Sequence, residues 1–108
     1  MDYEREKYEQ NFKVLDLFAG IGGFSLGFYK SGFEVVAAIE QNKKMCDIYS
    51  YNFQNVKVIC TNIENIDMQQ VPDFDVLIGC LPWTSFSVAG KKIFLKIALY
   101  QKNWKLLV

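Results

Sequence analysis

A glycine-rich turn after a short apolar run has the residue types needed to bind a ligand. Residues 13–18 (KVLDLF) are apolar enough for a buried strand, and residues 19–23 (AGIGG) interrupt them before a stretch with helical spacing. Glycine permits a tight strand-to-helix turn and lets a ligand approach bare backbone. The strict dinucleotide pattern G-x-G-x-x-G is not met, because its last glycine is replaced by Ser25. The turn alone fits either a ligand site or a tight turn without a ligand.

An acidic residue follows the turn at a spacing that suits a nucleoside. Glu40 lies 20 residues after Gly20 and ends a second apolar, β-rich stretch. A carboxylate in this position can accept hydrogen bonds from both hydroxyls of a ribose. The alternative is a surface glutamate with no ligand. The turn and the acid together predict a cofactor that contains a nucleoside.

The apolar pattern also predicts the elements that must position these residues. We expect strands at 13–18, 33–40, 56–60 and 75–79, helices at 24–31 and 42–53, and a loop or short helix at 61–72. Strands separated by helical stretches indicate an α/β fold with a parallel sheet and right-handed crossovers. Ligands of such sheets bind at the carboxyl ends of the strands, where the glycine-rich turn and Glu40 both fall.

The composition fits one globular domain. The 108 residues are 51% hydrophobic, 16% aromatic and 22% charged, which excludes a disordered tail or a fibre. No apolar run approaches the ~20 residues that a membrane helix needs, so no membrane partner is expected. Residues 1–12 are polar and acidic, and we interpret them as a polar leader rather than a signal peptide. A cytoplasmic location is expected.

Several side chains that catalysis and metal binding often use are missing. The sequence has no histidine, which excludes Ser-His and Cys-His catalysis and histidine-ligated metals within this chain. Its cysteines, Cys46, Cys60 and Cys80, are odd in number and form no C-x-x-C pair. A disulfide framework and a zinc site are therefore not expected, and a reducing compartment fits.

Residues 16–24 (DLFAGIGGF) resemble the first motif of the DNA (cytosine-5)-methyltransferases, and the resemblance continues to about Gly90. It implies a Rossmann-like S-adenosylmethionine-dependent methyltransferase fold, truncated, with about four mostly parallel strands over residues 13–90. It also implies S-adenosyl-L-methionine as cofactor, DNA as partner and a role in restriction-modification. Glu40 would take the ribose hydroxyls. The residues that would wrap the cofactor are Phe18, Gly20, Gly22, Gly23 and Phe24.

One cofactor-binding pair departs from the family pattern. The family usually has Asp-Ile after its third strand, where the carboxylate meets the adenine amino group. The matching pair here is Asn62 and Ile63. An amide oxygen still accepts that hydrogen bond, but without charge assistance. We therefore expect somewhat weaker adenine binding.

The catalytic motif departs more seriously. The family reads Gly-Gly-Pro-Pro-Cys-Gln-x-Phe-Ser, whereas residues 79–87 here are GCLPWTSFS. Trp83 stands at the nucleophile position and Thr84 at the glutamine position. A thiolate must add to C6 of cytosine before C5 can take a methyl group, and tryptophan has no group that can add and leave. The residues that agree with the motif are Pro82, Phe86 and Ser87.

Other parts of the family's catalytic machinery are also absent. Cys80 could replace the nucleophile or be a small buried residue, and we favour the second. The cytosine-holding Glu-Asn-Val triplet is missing, since its nearest match, residues 64–66, precedes the catalytic loop. Arg5 is the only arginine, so an Arg-x-Arg motif cannot exist. The resemblance thus implies a truncated or degenerate member, inactive alone and without a target recognition domain.

Residues 91–108 form a basic segment of uncertain origin. They hold five lysines and no acid, whereas residues 1–90 carry a net charge of −5. We favour a helix packed on the sheet; the alternatives are a contact with a phosphate backbone or membrane surface, and a frameshifted end. The apolar residues that share a helical stripe are Ile93, Ile97, Tyr100, Trp104 and Leu107.

Two other functions remain open at this stage. The chain could be a remnant that binds cofactor or a partner without catalysis, or a small dinucleotide-binding domain. Ser25 and the specific first motif argue against the dinucleotide reading. A sheet that stops at its fourth strand would leave that edge open, which predicts self-association or pairing with a second chain.

Overall fold

A five-stranded parallel sheet with the strand order β3-β2-β1-β4-β5 forms the centre of the computed structural model. The structure describes residues 12–79, 92, 95–97 and 105–107. Each neighbouring pair of strands is parallel. The strands are β1 (Lys13–Leu17), β2 (Glu34–Glu40), β3 (Lys57–Cys60), β4 (Val76–Gly79) and β5 (Lys105–Leu107).

The connections place the helices between successive strands. Helix α1 (Gly23–Lys30) joins β1 to β2, and α2 (Lys43–Asn52) joins β2 to β3. Two short 3-10 turns, Ile63–Asn65 and Met68–Gln70, lie between β3 and β4. The chain moves outward from β1 to β3 and then returns to the other side of β1. This reversal makes a crevice at the carboxyl ends of β1 and β4.

The two faces of the sheet follow the alternation of side chains along each strand. One face packs Leu15, Leu17 and Leu77 into the largest described cluster of buried residues. The other face packs Val14 and Val35 near α1. Alternation puts Asp16 on the same face as Val14, and that face bears a second small cluster of Ala19, Ala38 and Tyr49.

Part of the basic segment packs against the sheet. Lys92 and residues 95–97 are helical. Ile97 is 0% exposed and belongs to the cluster that contains Leu15 and Leu77. Lys92 and Lys96 are exposed. Ile97 therefore packs against the sheet, whereas Leu95 is 55% exposed and the two lysines face water. A helix over the whole segment stays a prediction.

The helical stripe predicted to reach Leu107 is wrong at its end. Residues 105–107 form β5 and pair in parallel with β4, Leu106 lying opposite Leu77. The edge of β4 has unpaired backbone N–H and C=O groups, which favour pairing with another strand. The spacing of apolar residues in sequence carries no information about that edge. The open edge predicted at β4 is therefore also wrong. Self-association stays a prediction.

A buried chain of hydroxyl and carboxyl groups links β1 to both helices. The Ser25 hydroxyl donates a hydrogen bond to Asp16 Oδ2 at 2.6 Å, and the Tyr49 hydroxyl lies 2.6 Å from the same Ser25 oxygen. Because serine has one hydroxyl proton, Tyr49 donates to Ser25 while Ser25 donates to the carboxylate. Asp16, Ser25 and Tyr49 are each at most 1% exposed. These two hydrogen bonds thus fix α1 and α2 against the central strand.

The carboxyl group of Asp16 is incompletely compensated. Burial raises the pKa of Asp16 to about 6, although the hydrogen bonds with Ser25 oppose this shift and the Glu40 charge adds to it. Asp16 Oδ1 has no hydrogen-bond partner within the part of the chain that the structure describes. Burial likewise raises the pKa of Tyr49 to about 12, so its hydroxyl keeps the proton that it donates.

The Asp16 carboxyl should make stability depend on pH. The folded protein holds this proton up to about pH 6, whereas the unfolded chain releases it near pH 4. Between these values the free energy of unfolding falls as pH rises, by roughly 3 kcal/mol in total. Asp16→Asn removes this term, so its stability relative to the parent should increase from pH 4 to pH 7. Urea unfolding at several pH values measures it.

A matched control for this experiment is Asp47→Asn, which changes an exposed carboxyl on α2. This carboxyl pairs with Lys43 and is not buried, so the stability of the variant relative to the parent should not rise over the same pH range. The absence of a rise for Asp16→Asn would show that the buried carboxyl does not bind its proton more tightly in the folded state.

The glycine-rich turn is held by close packing with the end of α2. Gly22 has a φ of 104°, and a Cβ on it would overlap the Phe53 ring. Phe53 stacks in turn on Tyr49, with ring centroids 4.7 Å apart. Gly23, the first residue of α1, has open space where a Cβ would lie. A side chain is therefore excluded at Gly22 but has room at the adjacent Gly23.

Alanine at these two glycines should separate the constraints. Gly22→Ala should lower the free energy of unfolding by about 1–3 kcal/mol, because it adds both backbone strain and a clash with Phe53. Gly23→Ala should raise it by up to about 1 kcal/mol, since alanine favours a helix over glycine. Thermal and urea unfolding measure both. Equal effects would show that the turn does not need glycine at position 22.

Candidate functional site

The turn between β1 and α1 is wound tightly at the carboxyl edge of the sheet. Phe18, Gly20 and Gly22 have φ values of 54°, 57° and 104°. A positive φ is uncommon for phenylalanine, and such strain is most often found where a site requires it. The Ala19 amide donates to the Ile39 carbonyl at 3.1 Å, which ties the turn to the end of β2.

The Glu40 carboxylate joins this turn to the loop after β2. Its Oε1 accepts from the Gly20 amide at 2.9 Å, and its Oε2 accepts from the Asn42 amide at 2.7 Å. Glu40 is 9% exposed. A carboxylate has about four acceptor positions, so each oxygen can accept one further hydrogen bond. The group is thus oriented by backbone and still able to receive two hydroxyl donors.

Three of the residues predicted to bind the cofactor line one small hollow beside this carboxylate. Phe18 and Ile63 lie there with Glu40, and Ile39, Gln41 and Thr61 complete the lining. Ile63 is delivered by the 3-10 turn that follows β3. The hollow has a volume of only about 10 Å³, so a base and its sugar could lie over it, next to the oriented carboxylate, but not inside it.

Asn62 has a local role of its own. It is exposed, and its Oδ1 accepts the Glu64 amide at 2.9 Å as the cap of the first 3-10 turn. A carbonyl oxygen has two lone pairs, so one acceptor position is left for a ligand. Adenine recognition by Asn62 stays a prediction.

The remaining predicted residues border a neighbouring space. Gly22 and Gly23 line an apolar hollow of about 450 Å³ with Leu26 and Phe53. Phe24, in the first turn of α1, is 45% exposed. A third cleft, of about 430 Å³, lies at the opposite edge of the sheet around Phe33 and contains none of the predicted site residues.

The polar chain of Asp16, Ser25 and Tyr49 was not among the predicted site residues. The sequence held a signal for Asp16, because a single acid interrupts an otherwise apolar strand. For Ser25 the signal was only the missing third glycine. Nothing in the sequence pairs Tyr49 with either residue, since it fits the apolar side of α2 equally well.

The predicted catalytic loop lies outside the described residues, including its residues Pro82, Trp83, Thr84, Phe86 and Ser87 and the neighbouring Cys80. The structure does show where that loop begins. Gly79 ends β4 opposite Leu17, and a Cβ on Gly79 would come within 2.6 Å of the Leu17 carbonyl oxygen. Gly79, the last described residue before that loop, therefore lies directly beside the end of β1, where the glycine-rich turn begins.

The described residues were expected to hold neither a metal nor a membrane span. Among the described residues, no group of three or more histidine, cysteine or acidic side chains could hold a metal ion. In the same part of the chain, no helix is long and apolar enough to cross a membrane.

Comparisons with solved structures identify the fold. A TehB-like SAM-dependent methyltransferase from Corynebacterium glutamicum superposes with a TM-score of 0.70 at 16% identity, covering 94% of this chain and 55% of that one. The Dnmt2 methyltransferase of S. pombe superposes with a TM-score of 0.65 at 21% identity, covering 87% of this chain and 31% of that one. The predicted Rossmann-like methyltransferase fold is confirmed.

Sequence comparisons identify the family. The profile of the C-5 cytosine-specific DNA methylases matches residues 12–97. The type II methyltransferase M.Bsp6I from Bacillus sp. is 51% identical over 79 residues, which are 72% of this chain and 25% of that protein. The chain therefore spans about a quarter of this relative's length. S-adenosylmethionine is the cofactor of this family, as the resemblance implied. The chain belongs to the family of C-5 cytosine-specific DNA methylases.

Proposed function

We propose that this chain is the cofactor-binding part of a DNA (cytosine-5)-methyltransferase and binds S-adenosylmethionine beside Glu40. The observation that carries the proposal is the Glu40 carboxylate, which the Gly20 and Asn42 amides orient while two of its acceptor positions remain available. The open space beside Gly20 and Gly23 supports it, because a ligand can approach the backbone there.

The residues of the hollow suit the parts of this cofactor. The two ribose hydroxyls would donate to Glu40, and the adenine would lie between Phe18 and Ile63. Asn62 would accept from the adenine amino group with its second lone pair. The sulfonium supplies the methyl group, and its amino-acid end would follow the glycine-rich turn from Gly20 to Phe24. The protein's contribution is orientation, through backbone that Asp16 and Ser25 hold in place.

Replacement of Glu40 should weaken cofactor binding strongly. Glu40→Ala removes both ribose contacts and the partner of the Gly20 amide, so S-adenosylmethionine affinity should fall at least about tenfold. Glu40→Gln keeps one acceptor oxygen and should lose less. Titration calorimetry with S-adenosylmethionine and with its demethylated product measures both variants.

Glu34→Ala is the matched control, because Glu34 is an exposed glutamate at the opposite end of the same strand. Its affinity should equal that of the parent chain. Equal binding by Glu40→Ala and the parent would refute the assignment. Preferential binding of NAD would favour the alternative of a small dinucleotide-binding domain.

We also propose that the chain alone does not methylate DNA. Trp83 replaces the thiol that must add to cytosine C6, and Thr84 replaces the neighbouring glutamine. Restoring the thiol would leave the other losses, since the chain has no Arg-x-Arg motif and no cytosine-holding Glu-Asn-Val triplet. For the methyltransferase as a whole we propose DNA as the substrate, a role in restriction-modification and a cytoplasmic location.

A methyl-transfer assay tests this second proposal. The parent chain should transfer no tritiated methyl group from S-adenosylmethionine to unmethylated genomic DNA, and Trp83→Cys should transfer none either. Label from the parent would refute the proposal of inactivity. Label from Trp83→Cys alone would show that the cofactor half and the thiol suffice. The control is that both proteins still bind S-adenosylmethionine, which shows that they are folded. Cofactor binding without methyl transfer is the result expected of a non-catalytic cofactor-binding remnant.

A further inference from the structure

Two cysteine thiols belong to residues that neighbour Glu40, and no step of the proposed function uses them. Cys46, in the first turns of α2, is buried, whereas Cys60, the last residue of β3, is exposed. The Cys46 thiol donates to the Glu40 carbonyl oxygen at 3.1 Å. Cys60 is the direct cross-strand partner of Glu40 in the parallel ladder. Both cysteines are therefore neighbours of the same residue.

The packing of α2 on β3 turns the two thiols towards each other. Val58 and Cys60 share one face of β3 by alternation, and Val58 packs against the cluster that contains Tyr49. Cys46 lies three residues before Tyr49, so it occupies the same side of the helix. Helix and strand run in opposite directions in such a crossover. Cys46, which precedes Tyr49 on α2, therefore lies opposite Cys60, which follows Val58 on the same face of β3.

The two thiols of the pair differ in burial and therefore in how readily they react. Burial raises the pKa of the Cys46 thiol to about 12, and a hydrogen bond with the Cys60 side chain adds to the shift. Cys46 therefore keeps its proton at neutral pH. Cys60 is the sulfur that a reagent in solution meets first. An exposed thiol that can react first, with a second thiol beside it to displace the adduct, is the arrangement of many redox-sensitive cysteine pairs.

We propose that Cys46 and Cys60 are a redox-sensitive dithiol that closes to an intramolecular disulfide on reaction with a small disulfide such as oxidised glutathione. The Cys60 thiolate attacks one glutathione sulfur, forms a mixed disulfide and releases one reduced glutathione. The Cys46 sulfur loses its proton to solvent, attacks the Cys60 sulfur and releases the second glutathione. The two cysteines together lose two electrons and two protons, and oxidised glutathione is reduced.

Disulfide formation should act on Glu40. A covalent sulfur–sulfur bond is shorter than a thiol contact, so the start of α2 must move towards β3. Asn42 lies in the connection that takes up this movement, and its amide orients Glu40 Oε2. The Glu40 carbonyl also loses its bond from the Cys46 thiol and keeps that from the Thr61 amide at 3.1 Å. Oxidation should therefore weaken ribose binding; this consequence rests on the proposed function.

The first test follows the disulfide itself. Cys80→Ser removes the third thiol, so this variant of the full chain is incubated with oxidised glutathione at mildly alkaline pH and analysed by intact mass. The expected product has lost two hydrogen atoms and carries no glutathione, and peptide mapping should join Cys46 to Cys60. The matched control is Cys46→Ser in the same background, which should retain one glutathione on Cys60.

The outcomes distinguish the proposal from ordinary surface thiolation. If the two-cysteine protein retains glutathione to the same extent as the Cys46→Ser control, the thiols do not close and the proposal is wrong. A protein that does not react at all refutes it equally. Far-ultraviolet circular dichroism before and after reaction confirms that the folded chain was measured.

The second test measures the effect on the cofactor site. S-adenosylmethionine affinity of the Cys80→Ser chain should fall several-fold on oxidation and return on reduction with dithiothreitol. The control is Cys60→Ser in the same background, which keeps only the buried Cys46 and should bind equally before and after treatment. An unchanged affinity of the oxidised protein would refute the coupling to Glu40. If the disulfide forms but the reduced chain binds no S-adenosylmethionine, the proposed function fails while the dithiol stands.

Discussion

A single buried carboxyl group constrains much of this structure. Asp16 sits at the centre of the sheet, is 1% exposed, and receives the hydrogen bond through which Ser25 and Tyr49 attach both helices to β1. A buried acid costs stability unless its hydrogen bonds are made, so α1 and α2 can dock in few other ways. The geometry of the glycine-rich turn follows, because the turn joins Asp16 to Ser25.

Glu40 extends this constraint from the core to the surface. Its position at the end of β2 places its carboxylate under the turn, where backbone amides from Gly20 and Asn42 hold it. The same residue contacts the Cys46 thiol through its carbonyl oxygen and pairs with Cys60 along the sheet. Glu40 is thus the point at which turn, helix and third strand meet. A ligand bound there would respond to changes in any of them.

The order of the strands explains why the glycine-rich turn and the end of β4 are neighbours. Strand β4 pairs with β1 so closely that Gly79 leaves no room for a Cβ beside Leu17. Gly79 therefore lies next to the end of β1, where Phe18 and the glycine-rich turn begin. In the sequence these regions are about 60 residues apart. Only the crossover of the parallel sheet brings them together.

The sequence by itself determined the α/β class and the order of the first four strands along the chain, because apolar periodicity is a local property. The ligand roles expected of Gly22 and Glu40 stay predictions. Local patterns could not pair Asp16, Ser25 and Tyr49, since hydrogen bonds between elements depend on how those elements dock. The same limit explains the error at residues 105–107: a helical stripe and a short apolar strand look alike in sequence. The edge of β4, which exists only in the folded sheet, decided between them.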